Sequence, residues 1–228
     1  MAGILHIVAT PIGNLQDITA RAIDTLKGAD LILCEDTRNT KILLDRYCFN
    51  KPLLSYHQHS TISRLEQIAG LLKDGKNLAL VSDAGTPGIS DPGNKLVERL
   101  VELFGGEIKI TPIPGPSAVI TALSVCGFAC DRFTFLGFPP AKKKRKKFFE
   151  KMLSCEYPTA IYESPYRIIK TLSEISDLNE DKKRRIVVCR ELTKKFETIS
   201  RGTVEGVVKT LRKETARGEY VIVLEGKR

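Results

Sequence analysis

The chain has 228 residues, 42% of them hydrophobic and 28% charged, so it is long enough to bury a core and too apolar for a disordered segment. The apolar run at 4–9 lacks the basic stretch and the cleavage site of a secretory signal, and no run approaches the roughly 20 apolar residues that span a bilayer. We therefore expect neither a secretory signal nor a membrane partner.

The net charge of +9 is unevenly distributed along the chain. Residues 1–114 carry 12 Lys and Arg against 13 Asp and Glu, whereas residues 115–228 carry 24 against 14. A strongly basic half beside a neutral half is typical of a protein that binds a polyanion. Nucleic acid is the polyanion that we expect.

Six cysteines occur without a CxxC pair, and the CxxxC spacing of Cys126 and Cys130 has no nearby histidine to complete a zinc set. We interpret all six as reduced core thiols. On this basis we predict no metal site and a cytoplasmic location.

Strand and helix signals alternate along the first half of the chain. Ser60 is the expected N-cap of the helix that carries Leu65 and Leu72. The alternation predicts an α/β layer with a largely parallel sheet. The predicted strands are 4–9, 31–34, 52–55, 78–81 and 108–113, with helices between them.

The second half repeats this style less regularly. The charge balance changes near the prolines at 112–116, which divides the chain into an N-terminal α/β domain, residues 1–115, and a basic C-terminal α/β domain, residues 116–228. The second domain has predicted strands at 133–136, 159–162, 186–189, 198–200 and 220–224 and helices at 118–125, 144–153, 165–176 and 204–212.

Three loops follow predicted strands of the first half, at 10–17, 82–93 and 112–117. Ligands of open parallel sheets bind outside the carboxyl ends of the strands, so these loops are candidates for a binding site. The first loop equally fits a tight β–α connection, and the third fits ordinary helix capping. The second holds three glycines and two prolines in twelve residues and favours a ligand, because a short turn would close the same gap.

Neither the glycine fingerprint of dinucleotide sites nor the lysine of a P-loop is present, which disfavours both of those ligands. The motifs that the loops do carry resemble the tetrapyrrole methylase family, in particular its members that act on ribosomal RNA. The segments that carry the resemblance are 9–17, 34–38, 80–93, 112–117, 131–133, 137–140, 162–167, 190–194 and 218–226.

The resemblance covers essentially the whole chain. It implies two α/β domains of the tetrapyrrole methylase type, with S-adenosylmethionine held in a cleft between them. It also implies 2′-O-methylation of a cytidine in the decoding region of 16S ribosomal RNA. The substrate is either free RNA or the 30S subunit. The resemblance further implies that the protein is a homodimer. Carried over motif by motif, it implies that the cofactor is bound by Pro11, Val81, Ser82, Asp83, Thr86, Ser117, Ala118, Tyr162, Glu163 and Leu192.

A run of six cations at 142–147 is the main candidate for RNA contact, because a phosphate backbone relieves their mutual repulsion and releases counterions. A solvated surface segment is the alternative. The predicted RNA contacts are Lys142, Lys143, Lys144, Arg145, Lys146 and Lys147, together with Arg167, Arg190 and Lys194.

A ribose hydroxyl is a poor nucleophile and benefits from a nearby base. Glu35, Asp36 and Arg38 follow the second strand, and we name Asp36 and Arg38 as candidate catalytic residues, a carboxylate for the proton and an arginine for a phosphate. A capped, salt-bridged helix start explains them equally well. Further candidates are Glu191 with Lys194 and the histidines of the 56–61 loop, His57 and His59.

Two other functions fit parts of the sequence. A methyltransferase acting on a precorrin-like tetrapyrrole has the same implied fold and cofactor but does not explain the basic second half. An RNA-binding or assembly protein that has lost catalysis is of a different class, and S-adenosylmethionine binding without methyl transfer to any RNA would favour it.

Overall fold

The computed structural model describes residues 2–58, 60–213 and 216–227. The candidate His59 lies outside the described residues. The chain forms two compact units, which meet in sequence between Ser117 and Ala118. Within the described ranges, no helix is both long enough and apolar enough to cross a membrane.

The first unit is a five-stranded sheet with the order β3-β2-β4-β1-β5, and all its strand pairs are parallel. The predicted parallel α/β layer is thereby confirmed. Its elements are β1 (Ile4–Val8), a 3-10 turn (Leu15–Asp17), α1 (Ala20–Gly28), β2 (Leu31–Cys34), α2 (Thr37–Arg46), β3 (Leu53–Ser55), α3 (Ile62–Lys73), β4 (Leu78–Leu80), α4 (Asn94–Phe104) and β5 (Lys109–Ile113).

Both faces of this sheet are buried. Val8 and Ile32 pack into one apolar cluster, whereas Leu5 and Leu33 pack into a second cluster on the other face. Successive side chains of a strand point to opposite faces, so a strand covered on both sides is apolar at every position. This is why β2 and β4 are uninterrupted apolar runs in the sequence, whereas β1 contains His6 and the edge strand β5 contains Lys109 and Thr111.

The start of α3 differs from the prediction by one residue. Thr61, not Ser60, is the N-cap, and its hydroxyl accepts a hydrogen bond from the backbone N–H of Arg64 at 3.3 Å. The hydroxyl of Ser60 accepts instead from the backbone N–H of His57 at 2.7 Å and stabilises the preceding loop. Ser and Thr are both good N-caps, so the sequence alone does not separate the two.

The second unit holds a mixed five-stranded sheet with the order β6-β7-β10-β8-β9. The central strand β10 is antiparallel to both neighbours and every one of its residues is buried. The elements are α5 (Ala118–Val125), β6 (Thr134–Phe135), α6 (Arg145–Ser154), β7 (Thr159–Glu163), α7 (Ile168–Leu178), β8 (Arg185–Arg190), β9 (Thr198–Thr203), α8 (Val204–Leu211) and β10 (Tyr220–Leu224).

The cysteine prediction needs correction. Cys34, Cys126 and Cys189 are buried free thiols, but Cys48 is exposed and the remaining two are only partly buried. Within the described part of the chain, no group of three or more His, Cys, Asp or Glu residues is placed to hold a metal ion.

Candidate functional site

The three loops at the carboxyl edge of the first sheet are joined to one another. Thr10 and Gly85 exchange two backbone hydrogen bonds, at 2.9 and 3.1 Å, which tie the loop after β1 to the loop after β4. The buried hydroxyl of Thr10 donates to the carbonyl of Ser82 at 3.1 Å. The hydroxyl of Thr86 donates to the carbonyl of Pro116 at 3.4 Å and connects the loop after β5.

Glycine is required at two points of this arrangement. Gly85 has a φ of +82°, a backbone conformation that a β-carbon disfavours. A β-carbon on Gly115 would lie 3.1 Å from the β-carbon of Ala9, which is tighter than ordinary packing. Gly85 therefore allows the backbone conformation of the second loop, and Gly115 allows the third loop to approach Ala9 this closely.

A small cavity of about 60 Å³ opens where the first two loops meet α2. Small-molecule sites typically measure roughly 300–1,000 Å³, so this cavity accommodates part of a ligand. Four apolar and five polar side chains line it, so it is more polar than a typical small-molecule site. The lining residues are Thr10, Pro11, Leu15, Asn39, Thr40, Leu43, Val81, Ser82 and Asp83.

Four of the predicted cofactor residues, Pro11, Val81, Ser82 and Asp83, line this one cavity. The others do not line it. Thr86 is half-buried in the second loop and holds the third, and Ser117 ends the third loop. The remaining predicted cofactor residues belong to the second unit: Ala118, Tyr162, Glu163 and Leu192.

One wall of the cavity was missed by the sequence prediction. Asn39, Thr40 and Leu43 come from α2, and the side-chain amide of Asn39 donates to the Asp83 carboxylate at 3.2 Å. The other carboxylate oxygen of Asp83 accepts from the backbone N–H of Asp36 at 3.3 Å. The available signal was the helical spacing of these residues directly after the second strand, which puts them on one face of α2.

The catalytic candidates Asp36 and Arg38 form the start of α2. Asp36 is its N-cap and accepts from the backbone N–H of Arg38 at 2.8 Å. The exposed guanidinium of Arg38 also donates to both oxygens of Asp36, at 3.0 and 2.6 Å. These hydrogen bonds lower the pKa of Asp36 to about 2. The pair thus matches the capped helix start, and such a carboxylate is a weak base at neutral pH.

The neighbouring Glu35 has the opposite character. Its Oε1 atom is buried and has no hydrogen-bond partner among the described residues. Burial raises the pKa of Glu35 and the nearby Asp83 carboxylate raises it further, although the backbone N–H of Asp83 and the ring of His57 act the other way. Glu35 is therefore a better proton acceptor than Asp36.

In the second unit, Glu163 lies in an internal network. Its carboxylate accepts from the backbone N–H of Ser164 at 2.7 Å, pairs with Arg167 Nε at 2.9 Å, and accepts from the Thr171 hydroxyl at 2.6 Å. The Glu163 side chain is completely buried. Its carboxylate is occupied by these bonds, so we reassign the Glu163 side chain from cofactor binding to the core.

Arg145 extends the same network. Its guanidinium donates to Glu174 at 2.6 Å, to Thr171 at 2.8 Å and to the carbonyl of Pro140 at 2.8 Å, and the residue is only 6% exposed. An arginine in this position holds α6 to α7. The prediction that Arg145 contacts RNA is therefore replaced by a structural role.

The other predicted RNA contacts outside the run of cations are also engaged internally. Arg167 pairs with Glu163, and Lys194 donates to Glu191 at 3.0 Å and to Glu219 at 2.7 Å. Arg190 donates to the carbonyl of Arg217 at 2.8 Å. The predicted RNA contacts with exposed side chains are Lys142, Lys143, Lys144, Lys146 and Lys147.

Tyr162 and Leu192, two of the three remaining cofactor candidates in the second unit, are packed side chains. The Tyr162 ring lies between Phe135 and Phe138, and its hydroxyl accepts from the backbone N–H of Val119 at 3.3 Å. Leu192 is buried. Their cofactor roles, like that of Ala118, stay predictions of the resemblance.

Because Thr10 joins two loops through its buried hydroxyl, Thr10→Val should loosen them while preserving the shape of the side chain. We expect the free energy of unfolding to fall by about 1–2 kcal/mol, since the change leaves the carbonyl of Ser82 without this donor. Urea unfolding measures the loss. Thr25→Val, the same change on the exposed surface of α1, is the control and should stay within about 0.5 kcal/mol of the unaltered protein. Equal losses of unfolding free energy in Thr10→Val and Thr25→Val would contradict the role of the Thr10 hydroxyl in joining the two loops.

Comparison with known proteins gives the same family throughout the chain. A model of the tetrapyrrole (corrin/porphyrin) methylases matches residues 4–208. A Bacillus subtilis (strain 168) protein named ribosomal RNA small subunit methyltransferase I is 46% identical over 225 residues, which cover 98% of this chain and 75% of that protein. The protein of the same name from Thermotoga maritima is 43% identical over 225 residues, which cover 99% of this chain and 99% of that protein.

Solved structures share the architecture at low sequence identity. Diphthine synthase matches with a TM-score of 0.76 at 14% identity, over 99% of this chain and 90% of that chain. The methyltransferase CobJ matches with a TM-score of 0.71 at 17% identity, over 100% of this chain and 97% of that chain. At such identities the likeness shows a common fold.

Proposed function

The chain belongs to the tetrapyrrole methylase family, and from this premise we propose that it transfers a methyl group from S-adenosylmethionine to the ribosomal RNA of the small subunit. The observation that carries the proposal is the joined set of strand-end loops around one cavity, in a chain 46% identical to a protein named for this activity. The finer proposal is methylation of a cytidine ribose at its 2′ oxygen in the decoding region.

The residues of the first unit fit this cofactor. Pro11, Leu15, Leu43 and Val81 give the cavity apolar walls that suit an adenine ring. The Asp83 carboxylate at its edge suits hydroxyl or amino groups. S-adenosylmethionine supplies an electrophilic methyl group on a positively charged sulfur.

The chain's own contribution to catalysis is to position the cofactor and to accept the proton of the acceptor hydroxyl. Methyl transfer depends mainly on the positions of the two reactants, and loops fixed by mutual hydrogen bonds would hold the cofactor in one place. We propose Glu35, in place of Asp36, as the group that takes the hydroxyl proton, because its carboxylate keeps an oxygen without a hydrogen-bond partner among the described residues. Its raised pKa supports this role, because a base works best when its pKa approaches the working pH.

Glu35→Gln should lower kcat by about 10²–10⁴-fold while leaving KM for the cofactor nearly unchanged. In the unaltered protein, activity should rise with pH as Glu35 loses its proton, at a pH above the ordinary glutamate pKa of about 4.3, because that pKa is raised. The pH–rate profile of the variant should lose this rise. Asp36→Asn is the matched control, and a larger loss of kcat there than at Glu35 would return the proton-accepting role to Asp36.

The five exposed lysines of residues 142–147 support the RNA part of the proposal. They lie at the start of α6 and in the turn before it, on the basic half of the chain. Their charge suits a phosphate backbone, whereas a precorrin-like substrate does not need such a run. We also propose a cytoplasmic homodimer; light scattering after gel filtration tests the dimer, and a monomer mass would contradict it.

The function is tested by incubating the protein with labelled S-adenosylmethionine and, separately, 30S subunits, protein-free 16S RNA and uroporphyrinogen. We expect labelled RNA whose modified nucleotide is 2′-O-methylcytidine. Labelled uroporphyrinogen with unlabelled RNA would favour the tetrapyrrole methyltransferase. Cofactor binding without labelling of any RNA would favour an assembly protein without catalysis.

A further inference from the structure

Several aromatic side chains of the second unit are exposed, Phe196 at 66% among them, and two of the exposed aromatic residues lie in neighbouring loops. Phe138, in the loop after β6, is 52% exposed, and Tyr166, in the loop between β7 and α7, is 95% exposed. An exposed aromatic residue by itself is common on protein surfaces. These two differ because they lie in neighbouring loops that are firmly held.

A hydrogen bond connects the two loops beside the aromatic residues. The guanidinium of Arg167, next in sequence to Tyr166, donates to the carbonyl of Pro139, next in sequence to Phe138, at 3.3 Å. Arg167 is in turn paired with the buried Glu163 at 2.9 Å. The backbones that carry both rings are therefore anchored to the core of the unit.

The Phe138 ring is also fixed in orientation. It packs edge-to-face on Tyr162, with ring centroids 5.4 Å apart and an interplanar angle of 61°. About half of Phe138 nevertheless stays exposed, which leaves ring surface available to another planar group. A ring that is held in place loses little conformational freedom when it binds a partner.

Exposed cations follow Phe138 along the chain. Lys142, Lys143 and Lys144 begin four residues after Phe138, and all three side chains are exposed. Aromatic rings beside a basic segment are the combination that binds single-stranded nucleic acid, in which the cations take the phosphates and the rings take the bases. A protein partner would instead favour a broad apolar face, with few charged residues at its core.

We propose that Phe138 and Tyr166 form a stacking platform for unpaired bases of the RNA substrate. The inference rests on the proposed action on RNA and adds a site that distinguishes single-stranded RNA from duplex RNA. It assigns the lysines to the backbone and the two rings to the bases. RNA whose bases are paired and stacked within a duplex cannot use the platform.

The test uses the full chain and a single-stranded RNA oligonucleotide that carries 2-aminopurine, whose fluorescence is quenched when it stacks. Phe138→Ala and Tyr166→Ala should each weaken binding by about 5- to 100-fold and remove the quenching, whereas Tyr166→Phe should retain both. The slope of affinity against salt should stay unchanged, because no phosphate contact is removed. Phe133→Ala is the control, since Phe133 is 41% exposed but precedes β6.

The outcomes separate this inference from the function on which it rests. Alanine variants that bind the oligonucleotide as tightly as Phe133→Ala, in a protein that methylates RNA, would overturn the platform alone. Loss of binding to 30S subunits with unchanged binding to protein-free RNA would assign the rings to a protein partner and also overturn it. An unaltered protein that methylates no RNA, yet quenches the probe through these rings, would overturn the enzymatic proposal and leave the platform.

Discussion

Replacing the five exposed lysines of residues 142–147 by glutamine, with Arg145 retained, should weaken RNA binding by about 10²–10³-fold at physiological salt. Each lysine that neutralises a phosphate of a single strand contributes about 0.7 to the slope of log affinity against log salt, so the slope should fall by up to about 3.5. Binding titrations of 16S RNA fragments at several salt concentrations measure both quantities. Cofactor affinity should not change.

A matched control removes five lysines from the first unit, which is nearly neutral overall. It changes the net charge by the same amount and should reduce the salt slope far less. Equal slopes for the two variants would mean that RNA responds to net charge alone and that residues 142–147 are a solvated surface segment. The lysines for this control are Lys27, Lys41, Lys73, Lys76 and Lys95.

Arg145→Ala should destabilise the protein by about 3 kcal/mol without a comparable direct loss of RNA contacts. The change removes the partner of Glu174 at 2.6 Å and the donor to Thr171 and to the carbonyl of Pro140. Removing one member of a buried ion pair typically costs about 3–5 kcal/mol, and we expect the lower end because Glu174 is 31% exposed. Urea unfolding followed by circular dichroism measures the change.

Lys147→Ala is the control for this prediction, because Lys147 belongs to the same run and is exposed. It should change the free energy of unfolding by less than about 0.5 kcal/mol and lower RNA affinity. Arg145→Lys should recover only part of the stability, since an ammonium group cannot reproduce the three-way contact of a guanidinium. A stable Arg145→Ala protein with weakened RNA binding would restore the predicted RNA contact.

The contrast between Arg145 and its neighbours shows what the sequence could not predict. The six consecutive cations cannot be distinguished in the sequence, but in α6 the side chain of Arg145 points toward Glu174 and Thr171. The direction of a side chain depends on where the helix begins, and helix boundaries are the least certain part of a sequence-based prediction. The sequence likewise does not show where the Glu163 side chain points. The motif that contains Glu163 can be recognised in the sequence, but the burial of its side chain cannot be predicted from it.

The loops of the first unit were more predictable. In a parallel sheet every strand ends at the same edge, so placing Pro11, Ser82 and Asp83 after strands already predicts that they are close. Four predicted cofactor residues do line one cavity. The wall formed by α2 was missed because Asn39 and Leu43 line the cavity only as a result of how α2 packs. The loop motifs contain no information about that packing.

The hydrogen bonds between Thr10 and Gly85, and from Thr86 to Pro116, also affect the thermodynamics of ligand capture. Loops that order only when a ligand arrives lose conformational entropy at that moment, and affinity falls accordingly. Here that entropy is lost during folding. Capture by the first unit should therefore proceed with little backbone rearrangement, and its heat capacity change should reflect mainly the apolar surface that the ligand covers.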